Sequence, residues 1–174
     1  MLGVVNHIFK NLITVNEYDA MNWAQACNVA REVVYGEPAF AGNACKTLLN
    51  RVDLLRLRCS VECYVQCFSD FREVVDSCFS NSLDSKYVSY IKKFRCSFLD
   101  LGISVTPKVH AVFNHVKYFC EKVGRGLGFY SEQSVESVHA DFKTTWNRYK
   151  FNNSNSEYYE KFLSAVCQYN SHHV

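Results

Sequence analysis

The sequence predicts an all-α fold, a single helical domain of about eight helices over residues 1–174 with mostly antiparallel neighbours. Three observations carry this. Apolar residues recur at helical spacing from end to end, and no strict period-two stretch competes with them. Two prolines and seven glycines in 174 residues leave little chain for long loops. Hydrophobic residues at 48 %, with thirteen Phe and eleven Tyr, fill one core, and charged residues at 21 % suit its surface. A chain of this length buries on the order of 70 % of its unfolded surface.

Each element has its own signal. Val5, Ile8, Phe9 and Leu12 form a first short stripe, and Asn16 is a cap for a second helix. That helix carries Trp23, Ala26, Cys27, Ala30, Val33 and Val34 on one side, until Gly36, Pro38 and Gly42 break the pattern. Asn43 is the expected cap of a third helix, with Cys45, Leu48, Leu49, Val52 and Leu55 on its core side. A fourth shows Tyr64, Cys67, Phe68, Phe71, Val74, Val75 and Cys78, and a fifth Tyr87, Ile91, Phe94, Phe98 and Leu101. Thr106 followed by Pro107 starts a sixth, since proline at the first helical position gives up no needed donor. Its stripe of Val109, Val112, Phe113, Val116, Phe119 and Cys120 ends near Gly124. Ser131 caps a seventh, with Val135, Val138, Phe142, Trp146 and Tyr149 inward, and the last buries Tyr159, Phe162, Leu163 and Val166.

Charge and composition narrow the function classes. Nineteen basic against seventeen acidic residues give a formal charge of +2, below the basic excess of an autonomous nucleic-acid binder. The clusters Lys92-Lys93-Arg95 and Lys143 to Lys150 read as solvated helix faces. No apolar run reaches the roughly 20 residues that span a bilayer, and the opening MLGVVNHIFKNL makes a poor signal peptide, so no membrane partner is expected. Nine cysteines, an odd number with no CxxC, argue for free thiols in a reducing intracellular compartment. The tripeptide Asn152-Asn153-Ser154 matches a glycosylation acceptor but is common by chance.

Four groups of residues could carry chemistry. Cys59, Cys63 and Cys67 share a helical face, but the tight turn that usually holds a pair of zinc ligands is missing, and buried thiol is the plainer reading. The glycines at 124, 126 and 128 follow a helix rather than a strand, so they suit a helix C-cap and turn better than a phosphate loop. His110 and His115, five apart, fall on opposite flanks of their apolar stripe and should not reach one ion; Asn114 and Lys117 share the side of His110. Glu132, Glu136 and His139 share one strip beside the core stripe of their helix. The pair Glu136 and His139 has the Glu-x-x-His spacing of di-iron bundles, but such sites need a second copy that the sequence lacks. The bland account is that Glu132 and Glu136 favour a helix N-terminus by their charge.

The blocks AFAGNACKTLLNRVDLL, VVDSCF, ISVTPKVHAVFNHVKYF, GLGFYSEQSVESVHADFKTTW and AVCQYNSHH span most of residues 39–173. In them the chain resembles uncharacterised invertebrate open reading frames derived from mobile elements. More distantly, PKVHAVFNHV, the glycine turn and SEQSVES are similar in order to the C-terminal region of some cut-and-paste DNA transposases with the RNase H-like fold. In those enzymes a late helix supplies the third carboxylate of an Asp-Asp-Glu site. The resemblance implies that Glu136 matches that Glu-Ser element, Glu132 the earlier glutamate and His110 the histidine of the preceding helix.

On that resemblance, Glu132 and Glu136 would be catalytic and metal-holding residues for Mg²⁺ or Mn²⁺, with His139 or His110 behind them. Phosphoryl transfer by two ions about 4 Å apart needs further carboxylates. Those normally stand on strands, whereas Asp53, Asp70 and Asp76 fall inside helical patterns. The expectation is a C-terminal transposase-like fragment that is not catalytic alone, with DNA or a partner chain completing the acidic site and no small-molecule cofactor. Its compartment would be nuclear if it acts on DNA. The competing expectation is a helical protein-interaction or scaffold domain without chemistry, marked by an exposed aromatic patch at Tyr87, Tyr90, Tyr158 and Tyr159.

Overall fold

The computed structural model describes residues 2–34, 36–57 and 61–130, together with Glu160 and Ser164. By its contacts the chain divides into two compact units, Met1–Tyr130 and Ser131–Val174. Of the second unit, Glu160 and Ser164 are helical and exposed.

The first unit is helical, as the spacing of its apolar residues predicts. Its elements are α1 (Leu2–Ala26), β1 (Glu32–Val34), β2 (Glu37–Ala39), α2 (Gly42–Asn50), α3 (Val52–Arg56), α4 (Glu62–Cys78), α5 (Tyr87–Asp100), α6 (Pro107–Asn114) and α7 (Val116–Val123), closed by a 3₁₀ turn at Leu127–Tyr130. The two short strands pair antiparallel, Glu32 with Ala39 and Val34 with Glu37.

Helix α1 covers the first two sequence stripes and bends between them. Asn16 leaves helical geometry (φ −151°, ψ 84°), and its Oδ1 accepts from the Asp19 amide at 3.0 Å. It therefore caps the second half of α1 as expected, by satisfying an amide that has no partner within the helix. The helix then stops earlier than its stripe suggests. Asn28 takes a left-handed φ of 54°, while Val29 N donates to Ala24 O at 3.1 Å and Asn28 N to Gln25 O at 2.9 Å. This Schellman ending satisfies the last carbonyls and sends the chain into the hairpin. Val33, expected in the core, is instead an exposed strand residue.

The third stripe is also divided. Ala41, with extended backbone, stands at the N-cap of α2 without a side-chain bond, and Asn43 lies inside the helix, correcting the expected cap. At Arg51 (φ −119°, ψ 35°) the chain breaks between α2 and α3, and Trp23 Nε1 donates to the Arg51 carbonyl at 2.9 Å. The buried indole thus takes up a carbonyl close to the break, while Val52 and Leu55 keep facing the core.

Two aromatic groups mark the interior. Phe9 meets Phe40 edge-on at 4.7 Å between centroids, and Trp23 meets Phe68 at 5.0 Å. Phe71, Phe94 and Phe98 form the second group, with Phe71 and Phe94 at 4.7 Å and Phe94 and Phe98 at 5.8 Å. The most extensive helix contact joins α4 to α5, and it positions the second group for α6 to cover through the half-buried Phe113.

Candidate functional site

The histidines of the sixth stripe belong to a helix with a well-defined start. Thr106 has extended backbone and its Oγ1 accepts from Val109 N at 3.4 Å, with Pro107 at the first helical position. Val109 and Val112 face the core, which leaves His110 and Asn114 on the exposed side. The expected continuous helix is interrupted at His115 (φ −111°, ψ −32°), and α7 begins at Val116.

That break overturns the expected separation of the two histidines. On one straight helix, residues five apart diverge by about 140° at 100° each. Here the His110 and His115 rings stand 5.4 Å apart between centroids, inclined at 61°. The Asn114 amide nitrogen lies 3.2 Å from His110 Nδ1 and donates to the His110 carbonyl at 3.1 Å, so Asn114 holds the first ring in place. All three residues are exposed. No glycine or proline announces the break, and periodicity alone could not have found the pair.

Past the break, Phe119 faces outward. It was expected in the core, yet it is 50 % exposed beside Tyr118 at 56 %, with ring centroids 5.6 Å apart. Of the aromatic patch expected elsewhere, Tyr87 is buried, Tyr90 is half-buried beneath the Lys93 ammonium, and Tyr158 and Tyr159 lie outside the described residues.

Beyond α7 the glycine turn has a packing role. Gly124 ends the helix with φ 69°, and its amide donates to the Cys120 carbonyl at 2.9 Å. Gly126 and Gly128 lie so close to the backbone of Phe79, Ser80 and Ser82 that a Cβ on either would collide with it. Gly128 N donates to Ser80 O at 3.1 Å. These glycines let one backbone lie against another after α4, a close-approach use of glycine.

Glu132, Glu136 and His139 lie outside the described residues, as does Cys59. Of the other two cysteines on that face, Cys63 is exposed and Cys67 fully buried. Burial, the largest influence, pushes the Cys67 thiol well above its ordinary value, and a hydrogen bond with Ser97 opposes it. Cys67 is thus a core thiol. Among the described residues no three His, Cys, Asp or Glu side chains gather to hold a metal ion, and no helix is long and apolar enough to cross a membrane.

A cleft of about 770 Å³ runs between α4 and α5 with Arg56 at its edge. Asp70 is buried at its floor and accepts from Gln66 Nε2 at 2.7 Å, while Lys93 reaches Glu73 at 3.5 Å. Its charges are mixed.

The described residues form a helical domain that carries an exposed histidine pair. Comparison with protein-family models, with curated proteins and with solved structures found no match.

Proposed function

We propose that the chain is a helical domain derived from a mobile element, related to the C-terminal part of an Asp-Asp-Glu transposase and not an enzyme alone. The observation that supports this reading is the order of features along the first unit. A proline-started helix holds His110 at the surface through Asn114, and a close-packed glycine turn follows after α7. That order is the one the resemblance requires upstream of Glu132 and Glu136.

In this reading Glu132 and Glu136 bind Mg²⁺ or Mn²⁺, with His139 supporting them. The ion would stabilise charge on a phosphoryl oxygen. A longer parent or a partner chain supplies the missing carboxylates, and DNA is the substrate of the assembled site. Calorimetric titration with Mn²⁺ tests it on the wild type and on Glu132→Gln/Glu136→Gln. Saturable binding lost in the double variant is the expected result. Absence of binding in both proteins sinks the metal reading. The chain would then be a helical interaction domain, a role favoured by the exposed Tyr118 and Phe119 pair.

A further inference from the structure

The geometry points to His110 and His115 as a two-histidine site for a divalent transition ion such as Ni²⁺, Zn²⁺ or Cu²⁺. This site does not depend on the transposase reading: it needs neither Glu132 nor Glu136, and it takes a different class of metal.

The spacing fits two imidazoles on one ion. A metal–nitrogen bond of about 2.0–2.1 Å and roughly 1.2 Å from nitrogen to ring centre place the ion about 3.2 Å from each centroid. A tetrahedral angle then separates the centroids by about 5.2 Å, and a right angle by about 4.5 Å. The observed 5.4 Å is close to the tetrahedral value. Both rings are exposed, so turning a nitrogen toward a shared ion requires side-chain rotation and no repacking of the core. The main-chain break at His115 makes the pair possible, and Thr106 and Pro107 fix the helix that carries His110.

Imidazole nitrogen selects these metals over Mg²⁺, which prefers oxygen donors and retains its water. With no third His, Cys, Asp or Glu gathered there among the described residues, the remaining positions are open to water or to a donor from another molecule. Asn114 supplies the supporting contact. Its amide nitrogen faces His110 Nδ1. An ion bound at Nε2 leaves the proton on Nδ1, and Asn114 then turns its amide oxygen to accept it. A carboxylate at this position would accept that proton more strongly.

Calorimetric titration of the full chain with Ni²⁺ tests the site, using wild type, His110→Ala, His115→Ala and Asn114→Asp. Each histidine variant is expected to weaken one binding event at least tenfold, while its melting temperature without metal stays unchanged. Asn114→Asp is expected to tighten the same event by about tenfold, the lower end of supporting-shell effects. The Glu132→Gln/Glu136→Gln variant should retain it, which separates this site from the Mn²⁺ site. Unchanged Ni²⁺ binding in either histidine variant would overturn the assignment. So would a Ni²⁺ event that disappears with the two glutamates.

Discussion

Single residues tie the first unit together at points that no stripe reveals. Asn6 receives the Phe40 amide at 2.7 Å and donates to the Phe40 carbonyl at 3.0 Å, imitating a strand partner for the chain leaving the hairpin. Trp23 is fully buried, touches both Phe9 and Phe68, and donates its indole N–H to Arg51. Replacing Trp23 with alanine should therefore cost about 3–5 kcal/mol, the range for deleting a large core aromatic. Trp23→Phe retains much of the packing but removes the donor to the Arg51 carbonyl, and should cost about 1–3 kcal/mol. Urea denaturation of the three proteins measures both. Equal losses would mean that the hydrogen bond, rather than ring volume, sets the value of this position.

At the scale of elements, local chemistry decided which parts were legible. The starts at Asn16 and Thr106 were readable because a cap is written in two or three adjacent residues. So was the end at Gly124, whose left-handed conformation suits glycine. The stripes of α4 and α5 were readable because long helices repeat their pattern. The hairpin was hidden because Val33 and Val34 continue a helical spacing that Asn28 has already ended. The breaks at Arg51 and His115 contain neither glycine nor proline, so the expected third and sixth helices are each two. The same blindness separated His110 from His115, while the acidic strip of Glu132, Glu136 and His139 falls outside the described residues. The bend in α1 gives a direct check. Asn16→Ala removes the acceptor for the Asp19 amide and the donor to Asp19 Oδ2 at 2.7 Å, and should cost about 0.5–2 kcal/mol. Asn16→Asp preserves an acceptor but sets a second carboxylate against Asp19, so it should not recover wild-type stability. Full recovery in thermal melts would show that the cap alone matters and the Asn16–Asp19 side-chain bond does not.

Across the whole molecule, the abundance of cysteine becomes a stability property. Cys45, Cys67, Cys78 and Cys120 are free and buried on α2, α4 and α7, where they act as small apolar side chains. Burial, the largest cause in each case, pushes Cys45 up from 9.0 to about 11 and Cys120 up to about 12, and raises Cys67 and Cys78 as well. Because the folded values are raised, the folded chain holds these protons more tightly than the unfolded chain. The resulting stability is fully present below the unfolded thiol value near 9.0 and is lost as pH rises toward the folded values. The urea midpoint should accordingly fall steadily between about pH 9 and pH 11. Cys45→Ala removes one of the contributing protons, so its midpoint should start lower, for lost packing, and fall less steeply over the same interval. A midpoint that stays level to about pH 10.5 would mean that the thiols ionise alike in both states, against the buried environment of Cys45. Parallel slopes for wild type and Cys45→Ala would instead assign the alkaline loss to other groups.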